Sequence, residues 1–379
     1  MSVERTGPKW MEIDLHAYEE NLKAIQTLAQ PAEVIPSIKA DAYGHGILPL
    51  ARACERIGLR TVAVATLDEA KLLRKGFIKC DILVLGAQPE SAVDELLNYR
   101  ITPTVCSLEF AKALSQRSNS LGLTSKAHLY VDTGMGRMGQ KPDDIKVWFS
   151  EAKSLPNLTF DSLYSHYAVA DENSSEAVQY SKQQWAKLES LAQELGLSKR
   201  HMANSAGLMA FPESHAQAVR PGLLSYGISP FGEKTCPEGI QPILRLCCRA
   251  QIMKTMKKGD TVGYGRTFTL PEDGHIATLP VGYGDGLPRN LAPNLNIGVE
   301  GRSVPIVGRI CMDMTMVYLG QKQVAEDATF ILLGKGGPTM VDWAKGSGRI
   351  PYEIATGLGQ RWTRCYLRHD KLEELVRPG

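Results

Sequence analysis

Val34-Ile-Pro-Ser-Ile-Lys39-Ala-Asp-Ala-Tyr43-Gly-His-Gly46 sets a short apolar, β-prone run directly against a lysine and a glycine-containing loop. The run has the length of a strand and the loop follows at once, which is how the first strand of a βα unit ends. A lysine at such an end, beside partly buried surface, loses its proton more readily than a solvated one, because desolvation disfavours the ammonium. The free amine is then a nucleophile able to form a Schiff base with a carbonyl compound. Lysine side chains are seldom buried, so the setting of Lys39, rather than its residue type, carries the reading.

Outward from this segment, β-branched runs alternate with helical periodicity between about residue 15 and about residue 230, the pattern of repeated βα units around a parallel sheet. The candidate strands are Val34–Ile38, Val62–Ala65, Ile82–Leu85, Thr102–Val105, His128–Val131, Leu158–Tyr164, Arg200–Ala203 and Gln217–Val219. Helix-like segments between them include Leu67–Lys75, Leu108–Gln116 and Ser175–Leu195. Eight such units suit an α/β fold of the (β/α)8, TIM-like type, whose usual length is about 250 residues. A doubly wound open sheet is the alternative. Lys39 follows the first strand, Arg137 the fifth, His166 the sixth, Asn204 and Ser205 the seventh, and Arg220 and Gly222 the eighth. An open sheet gathers ligand groups at its switch point, whereas a barrel brings all its carboxyl ends to one mouth, so the barrel is favoured.

Past Gly232-Glu-Lys-Thr-Cys-Pro-Glu-Gly the helical period fades, and strand-like runs such as Leu244–Ile252 and Val304–Ile310 are separated by Gly and Pro turns. Residues 1–235 are therefore expected to form the barrel domain and 236–379 a predominantly β domain, which the N-terminal strand Trp10–Leu15 is a candidate to join. Two domains also suit a chain of 379 residues, longer than one hydrophobic core usually organises.

The balance of 43 basic against 41 acidic side chains gives no electrostatic reason to expect nucleic acid or an anionic membrane as partner, which leaves a small-molecule site. No apolar run approaches the roughly 20 residues that span a bilayer, and Met1-Ser-Val-Glu-Arg-Thr-Gly-Pro-Lys9 has no signal-peptide core. A cytoplasmic protein is expected. Its 8 cysteines form no Cys-x-x-Cys pair and no zinc-ligand spacing, so reduced thiols and no metal site are expected.

Gly134-Met-Gly136-Arg137-Met-Gly139 is a G-x-G-x-x-G following a strand, the form of a dinucleotide-binding loop. It falls in mid-chain after several βα units, and no helix opens within it before Pro142, so the string alone is a weak signal. Arg137 within it has the planar fork that grips a carboxylate bidentately.

Taken together, Lys39-Ala-Asp-Ala-Tyr43-Gly-His-Gly, Asp132-Thr-Gly-Met-Gly-Arg137-Met-Gly, Ser165-His166-Tyr-Ala, His201-Met-Ala-Asn204-Ser205, Val219-Arg220-Pro-Gly222, Val262-Gly-Tyr264-Gly-Arg, Val281-Gly-Tyr283-Gly-Asp-Gly, Arg309-Ile-Cys311-Met312-Asp313 and Ile350-Pro-Tyr352-Glu resemble the alanine racemase family along nearly the whole chain. The resemblance implies a two-base racemisation of L- and D-alanine that supplies D-alanine for peptidoglycan. Its cofactor is pyridoxal 5'-phosphate bound to Lys39. The same likeness assigns Tyr264 as the second base, working on L-alanine while Lys39 serves D-alanine. It assigns Tyr43, His166, Asn204, Ser205, Arg220, Gly222 and Tyr352 to the cofactor, and Arg137 and Met312 to the substrate carboxylate. A phenol titrates near 10 when unperturbed, so Tyr264 needs positive charge or donors nearby to serve as a base. Arginine stays protonated and gives the pyridine nitrogen a hydrogen bond without giving up the proton, which argues for racemisation over decarboxylation. Tyr264 and Met312 are implied to reach the site from a second subunit, hence a homodimer.

One departure stands out: Tyr130 occupies the place where the family often has a carbamylated lysine that supports the substrate-binding arginine. A noncovalent partner is expected to hold Arg137 instead. Rival readings are a serine or broad-specificity amino-acid racemase, and a noncatalytic pyridoxal-phosphate homeostasis protein made of the barrel alone.

Overall fold

The computed structural model describes residues 7–232 and 236–378. Residues 1–6, most of the stretch read for a signal peptide, and 233–235, where the domain boundary was placed, lie outside the described residues.

The chain divides into two compact units. The unit spanning Glu19–Ala42 and Gly46–Ser225 is an eight-stranded parallel sheet in which every strand pairs with its neighbours in chain order. Its strands are Glu33–Val34, Thr61–Val64, Asp81–Ala87, Thr102–Val105, Ser125–Tyr130, Leu158–Tyr164, Arg200–His201 and Ala218–Val219. The first strand pairs with the last, and a parallel bridge between Ser37 and Ala63 closes the ring into a barrel. The first strand is shorter than Val34–Ile38 because Pro36 has no N–H to give a ladder. Pro36 only accepts, from Ala63 N–H at 2.9 Å, and pairing resumes where Ile38 N–H donates to the Ala63 carbonyl at 2.9 Å. The seventh and eighth strands are likewise shorter than expected, ending at His201 and beginning at Ala218, while the fifth begins earlier, at Ser125.

The helices Leu67–Lys75 and Ser175–Leu195 fall where the periodicity puts them, and Leu108–Ser120 runs beyond Gln116. Caps account for their starts: Thr66 and Glu69 form a reciprocal capping box, and the Ser174 hydroxyl accepts from Ala177 N–H at 3.2 Å. Ile35, Ala63, Leu83 and Ala218 make an apolar layer inside the barrel, whereas Thr104, His128, Tyr164 and His201 make a buried polar one.

The second unit contains a ten-stranded sheet, in the order Ile252–Met256, Gly274–Leu279, Thr315–Gly320, Arg302–Val307, Asn296–Val299, Thr329–Leu333, Leu244–Arg249, Lys9–Asp14, Thr363–Arg368 and Lys371–Val376. Neighbours are antiparallel except Lys9–Asp14 and Thr363–Arg368, which run parallel. The run expected over Leu244–Ile252 is two strands in different parts of this sheet, and the one expected over Val304–Ile310 stops at Val307, since Gly308 turns the chain at φ 68°. Two short helices, Met340–Ser347 and Pro351–Thr356, interrupt the β texture. Thr339 and Asp342 form a capping box that starts the first, and Pro351 opens the second.

Candidate active site

Lys39 leaves the first barrel strand into a left-handed turn: Ala40, Asp41 and Ala42 have φ of 53°, 52° and 53°. Such residues are disfavoured by roughly 1–2 kcal/mol each. Hydrogen bonds hold them there. Ala42 N–H donates to the Ile38 carbonyl at 2.9 Å, Gly46 N–H to the Asp41 carbonyl at 2.8 Å, Ile47 N–H to the Asp41 carboxylate at 2.8 Å, and Ala40 N–H to the Glu69 carboxylate at 2.6 Å. The Lys39 amine is pushed below its ordinary range, first by burial and then by the positive charge of Arg137 and Arg220, against which Glu69 acts. An amine so lowered has more of its free, nucleophilic form at a given pH than a solvated lysine.

Arg220 is buried in the same unit, and its hydrogen-bond partners among the described residues are imidazole nitrogens and backbone carbonyls. Its Nη2 donates to the Ser165 carbonyl at 2.7 Å and lies 3.4 Å from His166 Nδ1, its Nη1 meets His201 Nδ1, and its guanidinium sits 4.9 Å over the Tyr164 ring. Burial lowers its pKa to about 10, which leaves it a cation at neutral pH. His166 is held well below the usual imidazole range by burial and by Arg220, Arg137 and Lys39, so it is neutral. Burial likewise keeps His201 neutral. The line continues from His201 Nε2 to His128 Nδ1 at 2.9 Å, and His128 Nε2 faces the Asp161 carboxylate at 3.9 Å.

Asn204 caps the helix Ser205–Ala210 by accepting from Gly207 N–H at 2.9 Å. The Ser205 hydroxyl accepts from Gly222 N–H at 2.9 Å and Leu224 N–H at 3.2 Å, which ties the last two barrel loops together. The sequence-predicted Asn204, Ser205 and Gly222 are therefore neighbours.

Arg137 is exposed. The loop before it is folded on Asp132, whose carboxylate accepts from Gly134 N–H at 2.9 Å, Met135 N–H at 2.8 Å and Gly136 N–H at 3.0 Å. Those backbone donors are engaged, so this G-x-G-x-x-G does not offer them to a pyrophosphate, and the dinucleotide reading loses its physical basis. Tyr130 is 2% exposed, its ring stands edge-on to Tyr164 at 4.9 Å, and its hydroxyl is buried without a hydrogen-bond partner among the described residues. It packs so closely on Gly139 that a Cβ there would lie 2.4 Å from the ring. The Tyr130 hydroxyl therefore does not hold Arg137 in this structure.

The remaining predicted residues belong to the other unit. Tyr264, 72% exposed, begins a short turn, and the Arg309 guanidinium lies against Gly265, where a Cβ would be 3.1 Å from it. Tyr264, Cys311, Met314 and Met316 line one hollow, and Met312 beside them is 55% exposed. The Met312 segment is fixed by Tyr283 N–H donating to the Cys311 carbonyl at 3.0 Å and Gly284 N–H to the Met312 carbonyl at 2.9 Å. Arg361 then bridges Asp285 at 2.9 Å and Asp313 at 2.7 Å. The rings of Tyr43 and Tyr352 are 6.1 Å apart.

Sequence reading did not assign roles to Glu69, His128 or His201. The Thr66-x-x-Glu69 capping box was a visible signal for the first; nothing local marked the two histidines. Among the described residues there is no cluster fit for a metal ion and no helix long and apolar enough to cross a membrane.

Both parts of the chain have counterparts among known proteins. Residues 13–230 match the model of the alanine racemase N-terminal domain and 243–366 that of its C-terminal domain, a part for which the barrel-only alternative has no place. The alanine racemase of Clostridium novyi is 37% identical over 377 residues, covering 96% of this chain and 97% of that protein. The solved alanine racemase of Clostridium difficile 630 superposes with a TM-score of 0.90 at 30% identity over 99% of both chains. An alanine racemase structure from Bartonella henselae, described with covalently bound pyridoxal phosphate, superposes with a TM-score of 0.86 at 26% identity over 95% of this chain and 100% of that one. With both of its domains matched and a barrel that carries Lys39, Arg137 and Arg220 in one unit, the chain belongs to the alanine racemase family.

Proposed function

We propose that this chain interconverts L-alanine and D-alanine, with pyridoxal 5'-phosphate held on Lys39. The observation that carries the reading is the Lys39 amine, lowered in basicity by burial and by Arg137 and Arg220, in a chain of this family. The donor set within the barrel unit suits the cofactor: an amine for its aldehyde, the Arg220 cation for its ring nitrogen, neutral His166 for its ring, and the Asn204, Ser205 and Gly222 loops for its phosphate; Tyr43 and Tyr352 are assigned to the cofactor on the family resemblance. When bound, the cofactor draws electron density from the substrate Cα, so that the proton there can be removed.

The chain's own residues supply the rest. Arg220 donates a hydrogen bond without yielding its proton, which limits side reactions such as transamination. Arg137 and the Met312 backbone bind the substrate carboxylate. Tyr264 takes the α proton of L-alanine and Lys39 that of D-alanine. The bases must lie on opposite faces, since removal and return on one face would restore the starting isomer. We assign Tyr264 and Met312 to the site of a second copy in a homodimer, which the 72% and 55% exposure of these two residues supports. We further propose a barrel domain over residues 1–235, whose N-terminal strand joins the second domain, a β domain over 236–379, and action in the cytoplasm.

A chiral assay with the purified protein, run with its absorbance spectrum, tests the reading. Alanine is expected to turn over faster than serine or lysine, and failure to racemise alanine overturns it.

A further inference from the structure

Both oxygens of the Glu69 carboxylate accept backbone N–H groups: Oε1 from Ala40 at 2.6 Å, Oε2 from Ala65 at 2.8 Å and Thr66 at 3.2 Å. The Ala65 and Thr66 bonds belong to the end of the strand Thr61–Val64 and to the capping box of the helix behind it. They would suffice for an ordinary helix start. The bond to Ala40 serves a different element. Ala40 is the first residue of the left-handed turn and the next residue after Lys39. One carboxylate therefore ties the exits of the first two barrel strands together where the Lys39 side chain leaves the backbone.

The charged and titratable groups acting on the Lys39 amine within the barrel unit are Arg137, Arg220, neutral His166 and Glu69. Among the described residues, Glu69 is the one anion in this set. It opposes the two cations and favours the ammonium form.

We infer that Glu69 is a positioning residue for Lys39, fixing the Lys39–Ala40 peptide through its backbone hydrogen bond and placing a negative charge beside the amine. The inference rests on the reading of Lys39 as the cofactor-bearing lysine. The full-length chain, freed of cofactor with hydroxylamine, is mixed with pyridoxal 5'-phosphate, and the rate of capture is followed by absorbance across pH. Borohydride reduction and peptide mapping then locate the adduct. Capture requires the free amine, so the profile rises through a midpoint set by Lys39.

Glu69→Gln is expected to move that midpoint down by about half a unit to one unit, because a nearby opposite charge favours the charged form and partial exposure weakens the effect. Glu69→Asp keeps the charge on a shorter arm: its midpoint should stay in place while the plateau rate falls by about tenfold through misplacement of the amine. Both variants lower Tm, as a purely structural glutamate also would; the midpoint is the quantity that a structural role leaves alone. An unchanged midpoint in Glu69→Gln, or equal displacement in both variants, overturns the inference. A wild-type adduct on a lysine other than Lys39 overturns the reading beneath it, and the inference with it.

Discussion

Arg220 and His201 share a buried hydrogen bond in which the guanidinium Nη1 donates to the imidazole Nδ1. A guanidinium cannot accept, so this bond fixes the tautomer of His201, whose Nε2–H then points at His128 Nδ1, 2.9 Å away. His128 in turn directs Nε2–H toward Asp161, which Lys199 binds at 3.0 Å. Aligned imidazole dipoles thus run from a buried cation to a carboxylate at the barrel's edge, and the line holds only while both rings are neutral.

Acid should therefore undo this part of the barrel. Burial brings the His128 pKa from 6.5 down to about 4. The unfolded chain then binds a proton that the folded chain refuses, so stability is fully present above about pH 6.5 and falls as pH drops toward 4, by on the order of 3 kcal/mol. Thermal melts between pH 7 and pH 4 should show the loss, and His128→Asn should flatten the slope. A variant whose slope equals that of wild type would refute the assignment.

Arg220→Glu places an acid at the position proposed to donate to the ring nitrogen. Racemisation should fall by on the order of a hundredfold as one oriented electrostatic partner is lost, while transamination should increase, because an acid at this position would give its proton to the cofactor, where the Arg220 cation would keep its own. Pyruvate formed per racemisation event is the quantity to measure. An unchanged ratio would show that Arg220 does not govern the ring.

Lys39→Ala should abolish the borohydride-fixed adduct and reduce turnover by at least about a thousandfold. Tyr264→Phe should be asymmetric instead: solvent exchange of the α hydrogen of L-alanine falls by about a hundredfold or more, whereas exchange from D-alanine is partly retained through Lys39. Equal, wild-type exchange from both isomers in Tyr264→Phe would remove it from the mechanism.

Because the Tyr130 hydroxyl is buried without a partner, Tyr130→Phe should leave KM for alanine near wild type and raise stability by up to about 1 kcal/mol. Arg137→Ala should raise KM at least about tenfold by removing a charged hydrogen-bonding partner of the carboxylate. Activity should not respond to carbon dioxide depletion or added bicarbonate, since Tyr130 cannot form a carbamate. Bicarbonate rescue with a labile mass increment would mean that some lysine has taken that role.

Much of this molecule was readable from local pattern. Leu67–Lys75 and Ser175–Leu195 carry their period and their caps within their own residues, and the eight strand runs alternate with helices at a spacing that only a few folds accept. Lys39, Asn204, Ser205 and Arg220 follow strand ends in the sequence and fall in one unit of the structure, because a barrel converts position after a strand into position at one mouth, whereas the roles given to them came from the family resemblance. Strand ends were less legible: Pro36 truncates a ladder whose apolar run continues past it. What the tertiary structure alone decided are the partners. His128 meets His201 across 73 residues, Arg220 meets His201 across 19, and Glu69 reaches Ala40 across 29. No local period encodes such pairs, because hydrogen bonds between side chains on different barrel elements depend on strand register and closure, and burial then determines their charge. The same closure left Tyr130 facing Tyr164 and Gly139 with its hydroxyl unbonded, which residue type alone could not reveal.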